Sequence, residues 1–94
     1  MIDDEFEWDD DKAAANAEKH GVTFEQARSV FRDPFAIELL DDRKDYSEDR
    51  YILIGMSATS VLIVVHTQRE DRSRIISARK AEPNERRFYH DQNQ

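Results

Sequence analysis

Arginine is the residue with the most chemistry to offer in this sequence. Arg50 opens the segment YILIGM, Arg69 follows VLIVVHTQ, Arg72 lies in the turn REDRS, and Arg79 ends RIISAR. A planar guanidinium donates in a fork that matches two oxygens of a phosphate or a carboxylate. Arg79 stands apart from the other three. Strict alternation puts Ile75, Ser77 and Arg79 on one face of a strand, and Arg74, Ile76 and Ala78 on the other. An arginine beside isoleucines must be paired or line a cleft, because an unpaired buried charge is costly. Two readings stay open: a phosphate ligand, or an ion pair with an N-terminal acid such as Asp9.

Groups able to move protons accompany these cations. Glu70, next to Arg69, is either a general base or half of a turn ion pair. Tyr89 can stack on or donate to a phosphate, or dock its own helix, and docking is the reading its intrinsic properties favour. His20 follows Lys19 at a helix end, where dipole complementarity is the simpler explanation of both. His66 interrupts VLIVVHT on the face of Leu62 and Val64, and reads as a hydrogen-bonded core or boundary residue. On an RNA substrate these residue types would suffice without a metal. The 2′-hydroxyl is an internal nucleophile, and cleavage needs a base, an acid for the leaving 5′-oxygen, and cations on the phosphorane charge.

Other chemistries lack their patterns. His20, His66 and His90 form no HExxH or other close ligand spacing. Asp9-Asp10-Asp11 lacks the glycine of a calcium loop and suits a helix start. With 2 glycines in all, there is no Walker or GxGxxG loop. A serine nucleophile elbow is also missing. We therefore expect neither metal nor cofactor.

The 94 residues suit a single domain, 1–94, with one thin core. The net charge is −7, but it is unevenly spread. Residues 1–49 carry 16 acidic and 6 basic residues, a net of −10; residues 50–94 carry 5 and 8, a net of +3. Such a chain is no general nucleic-acid binder, yet it can hold a phosphate chain on one basic surface. Arg74, Arg79, Lys80, Arg86 and Arg87 gather at the basic end. The chain has no cysteine, no apolar run near the roughly 20 residues of a membrane span, and no signal-peptide pattern at its N-terminus. The expectation is a cytoplasmic protein with no membrane partner.

The positioning elements follow from periodicity. Phe6 and Trp8 alternate with acids as a short edge strand over 4–8. DDDKAAANAEKHG reads as a helix capped by one of the aspartates, with Gly21 just past its end. Thr23 and Gln26 form a capping box for a second helix, which Pro34 prevents from continuing. FAIELL (35–40), YILIGM (51–56), VLIVVHTQ (61–68) and RIISARK (74–80) read as strands of an antiparallel meander. A polar loop over 40–50 and the turns SATS and REDRS join them. Pro83 begins a last helix, 83–92, with few large apolar residues. The class is α+β in the order β-α-α-β-β-β-β-α, with the helical hairpin covering one sheet face.

FEWDDDKAAANAEKHGVTFEQA, DRYILIG, LIVVHTQRED and RIISARKAEPNERRFY resemble the BrnT family of type II toxins, over about residues 6–89. The most specific blocks are W-D-x-x-K…N…KHGV-x-F and RIISAR-[KR]-A…ER-x-x-Y. The family often has proline where this chain has Asp10. The resemblance implies a RelE-like fold and a ribonuclease that arrests translation and growth. It also implies a BrnA-like antitoxin with a ribbon-helix-helix-type DNA-binding domain. The pair would form a hetero-oligomer that meets promoter DNA only through the antitoxin. Arg69, Arg79, Tyr89, Lys19, His20 and Arg50 fall on the family's motif positions. Arg69 and Arg79 would bind phosphate and stabilise the transition state. Glu70, Tyr89 and His20 complete the candidate catalytic set, and Lys19, Arg50, Arg72 and Lys80 the candidate RNA-phosphate contacts. The competing reading is a binding or regulatory module of the same fold without turnover.

Overall fold

A computed structural model describes residues 1–43 and 47–94. Lys44, Asp45 and Tyr46, within the expected polar loop over 40–50, lie outside the described residues. The elements run β1 (Phe6–Glu7), α1 (Asp10–His20), α2 (Phe24–Val30), β2 (Ile37–Asp41), β3 (Arg50–Ser57), β4 (Ser60–Arg69), β5 (Arg72–Lys80) and α3 (Pro83–Gln92). The expected order is the observed one. No helix among the described residues is long and apolar enough to cross a membrane.

Local signals fix the helices. The Asp9 side chain accepts from the Lys12 N–H at the start of α1, and Gly21 closes the helix at φ 68°. Acids in the first turn and Lys19 and His20 in the last both oppose the helix dipole favourably. Thr23 and Gln26 make the reciprocal capping box of α2. Pro83 occupies the first turn of α3, where its missing N–H costs nothing.

The sheet has the order β1-β5-β4-β3-β2. Strands β2 to β5 form the antiparallel meander, and β1 adds to β5 in parallel. The turn after β4 is tighter than REDRS suggests, since Arg69 pairs with Arg72 and Glu70 sits at φ 57°. One face packs against α1 and α2. Its core joins Phe6, Trp8, Val22, Phe24, Ala27 and Val30 to Leu53, Leu62, Val64, Ile75 and Ala78. The opposite face is covered in part by α3, where Tyr89 joins Ile54, Val61, Ile63 and Ala81.

Alternation fails once, in β5. Val65 pairs with Ser77 but His66 pairs with Ile75, so Ile76 is an extra residue, a β-bulge. Ile75 and Ala78 therefore both enter the helix-side core, while Ser77 and Arg79 turn to the opposite face. The expectation that Ile75 and Arg79 share a face is overturned. The bulge lets β5 keep its apolar residues on the core and still aim its arginine outward.

Candidate active site

Arg79 leaves β5 on the α3 side of the sheet and meets an acid from the helix that follows it. Its Nη1 and Nη2 donate to Glu85 Oε1 and Oε2 at 2.8 and 2.9 Å. This fork-to-fork pair, and not Asp9, satisfies the arginine. Its position depends on a tight junction: Ala81 N–H bonds to Val61 C=O, and Glu85 Oε1 also accepts the Glu82 N–H at 2.8 Å. The pairing with Arg79 holds the Glu85 carboxyl below its usual range against the opposing effect of burial, helped by the Glu82 amide. The pair is not sealed, since the side chains are 36% and 23% exposed.

Arg79 and Glu85 line a cavity of about 260 Å³ with His20, Arg43, Ile52, Ile63, Val65, Ser77 and Ala78. His20 arrives there because α1 is pinned to the open edge of β5. The buried Asn16 carboxamide donates to Ala78 C=O and Val22 C=O at 2.9 Å and accepts the Ala78 N–H at 3.1 Å. It stands in for a missing neighbouring strand and places the last turn of α1 beside Ser77 and Arg79. Arg43 is oriented by the buried Asp41, at 2.8 and 2.9 Å. The cavity thus carries two guanidiniums, an imidazole and a carboxylate above an apolar floor. Such a set can bind an anion and exchange protons with it. Lys19 lines an adjoining hollow that shares His20 and Ser77.

A second cationic group lies at the other end of β5. Arg69 and Arg72 face each other across the turn, and Arg74 follows. All three surround Glu7. Its Oε2 accepts from Arg74 Nη1 at 2.8 Å, and its Oε1 lies 3.5 Å from Arg72 Nε. Burial pushes Glu7 up, but the Arg74 hydrogen bond and the charges of Arg69, Arg74 and Arg72 outweigh it, so the carboxyl stays ionised. Arg50 and Arg74 line a smaller hollow with Lys12 and Asp9. Glu70 stands exposed at the turn, 3.7 Å from Arg72. Seven residues of strand put this group about 20 Å from Arg79.

The candidate residues therefore separate. His20 and Arg79 meet in one cavity with Lys19 beside it, while Arg50, Arg69, Glu70 and Arg72 gather at the far end. Lys80 lies exposed, near Arg86 and His90 by α3. Tyr89 is buried and donates its hydroxyl to Asp33 Oδ2 at 2.6 Å, as expected of a docking residue. Burial, with Asp33 as its partner, pushes its pKa up to about 12.

The sequence profile described as "Ribonuclease toxin, BrnT, of type II toxin-antitoxin system" matches residues 8–85. The chain belongs to the BrnT family. Membership makes it a ribonuclease toxin of a type II toxin–antitoxin system, with an antitoxin as its partner. No curated protein matches the chain. For a BrnT-family ribonuclease the residues that sequence reasoning missed are Glu85, Arg43 and Asn16. Asn16, a lone amide among alanines, left a signal; so did Glu85, three residues into a helix after Glu82-Pro83, in the ER-x-x-Y block.

Proposed function

We propose that this chain is a metal-independent endoribonuclease that cleaves RNA by 2′-hydroxyl attack on the adjacent phosphate and so arrests translation and growth. The observation that carries the reading is the convergence of Arg79 and His20 on one open cavity. A phosphate seated there receives the Arg79 fork, which stabilises the charge that develops on the phosphorane. Arg69, Arg72 and Arg50 hold the RNA backbone about 20 Å away, a span of a few nucleotides, and Lys19 and Lys80 flank the path. Glu70 positions Arg72 at the turn. Tyr89 acts through the packing of α3.

In the cytoplasm a BrnA-like antitoxin with a ribbon-helix-helix-type domain covers this face, and the hetero-oligomer reaches promoter DNA through the antitoxin alone. The acidic body of the toxin is consistent with that division of labour, because affinity for nucleic acid rises with cationic contacts.

Expression without antitoxin tests the reading. Wild-type chain is expected to stop growth with RNA breakdown, and Arg79→Ala to do neither while its circular dichroism stays native. Arg79→Lys keeps the charge without the fork and is expected to be impaired as well. Intact RNA and normal growth with soluble wild-type protein would overturn the reading in favour of a non-catalytic binding module.

A further inference from the structure

Resting on that ribonuclease reading, we infer that Glu85 is the general base, with Oε2 taking the proton of the 2′-hydroxyl. Among the described residues it is the one carboxylate in the cavity wall. Its two oxygens are not equivalent. Oε1 accepts from both Arg79 Nη1 and the Glu82 N–H, which fills its lone pairs. Oε2 accepts from Arg79 Nη2 and keeps one lone pair. The N-terminal turn of α3 fixes the carboxylate, so little reorganisation is needed at the moment of proton transfer. Glu85 and Arg79 then work as a unit. A phosphate entering the cavity takes over part of the guanidinium fork, which places phosphorus next to Oε2 and releases some of the charge that suppresses its basicity.

The step balances. The 2′-oxygen loses its proton to Glu85 Oε2 and bonds to phosphorus, and the phosphorus–O5′ bond breaks. The leaving O5′ takes a proton from His20, the imidazole that lines the same cavity. The products are a 2′,3′-cyclic phosphate and a 5′-hydroxyl. Glu70 has no part in this step, because it lies at the far end of β5.

The test compares wild type and Glu85→Gln on an RNA that the wild type cleaves, with ribosomes supplied where cleavage requires them. Glutamine keeps the Oε1 acceptor for Glu82, so α3 stays capped. Turnover is expected to fall about 10²–10⁴-fold, with RNA binding unchanged or tighter. The acid limb of the pH–rate profile is expected to vanish in the variant. Equal or faster cleavage by Glu85→Gln would overturn the assignment and leave Glu85 as a mere occupant of the Arg79 fork. A retained acid limb would overturn it as well. A wild type that cleaves no RNA would instead sink the ribonuclease reading itself.

Discussion

Tyr89 and Asp33, 56 residues apart, are joined by a 2.6 Å hydrogen bond that ties α3 to the loop leaving α2. Asp33 Oδ2 also accepts the Met56 N–H at 2.7 Å, and Oδ1 accepts the Phe35 N–H at 2.9 Å. One carboxylate thus gathers α3, β3 and the approach to β2. The close passage explains Gly55, where a Cβ would stand 2.8 Å from Val30 Cγ1 and 3.1 Å from Asp33 Oδ2.

Removing the hydroxyl with Tyr89→Phe is expected to destabilise the fold by about 1.5–3 kcal/mol, the range for a bond to a charged group. Burial raises the Asp33 carboxyl, but the Met56, Tyr89 and Phe35 donors together hold it below its usual value. Its contribution is then complete above the unfolded value of about 4 and is lost as pH falls through the lower folded value. Urea melts of wild type and Tyr89→Phe at pH 7 and pH 3 check both statements, and the difference between the two proteins should shrink at pH 3.

His66 should make the fold acid-sensitive in a higher window. The ring is buried against Phe31, its Nε2 lies 2.9 Å from Glu38 Oε1, and Nδ1 has no hydrogen-bond partner among the described residues. Burial lowers its pKa, and Glu38 opposes this in part. The folded state therefore resists the proton that the unfolded chain accepts near pH 6.5. Stability is full above that value and declines as pH drops below it. Melts between pH 7.5 and 5.5 should show the decline, Glu38→Gln should steepen it, and His66→Gln should flatten it.

Asn16→Ala tests the edge of β5. The Ala78 N–H and C=O and the Val22 C=O would lose their partner in the interior, at a cost of about 1–3 kcal/mol for each group left unsatisfied. Faster hydrogen exchange at the Ala78 amide is the direct readout. Weaker cleavage than the stability loss explains would follow from His20 losing its place.

Much of this fold was legible because its signals are local. Asp9, Thr23 with Gln26, Gly21 and Pro83 each mark a helix end through contacts within four residues, and short turns declare the meander. Arg79 was misplaced because nothing in RIISAR marks a bulge. No glycine or proline stands there, and the extra residue becomes evident only when β5 is matched against Val65 and His66. The Arg79–Glu85 pair was hidden for a related reason. A six-residue spacing fits neither strand nor helix, and becomes a contact only through the corner at Ala81 and Glu82. Likewise the family motif gave Arg69 and Arg79 one shared role, although the length of β5 separates them.

The bulge at Ile76 also has a genetic meaning. Loss of one in-frame codon there would restore perfect alternation to β5 and spare every side chain named in the cavity. Ile75 would then run directly into Ser77, so Ile75 and Ala78 would stay on the helical hairpin and Ser77 and Arg79 on the opposite face. A lineage can therefore lose or regain three nucleotides at this spot without turning a cavity side chain to the wrong face, whereas a codon lost or gained between Ser77 and Arg79 would do so.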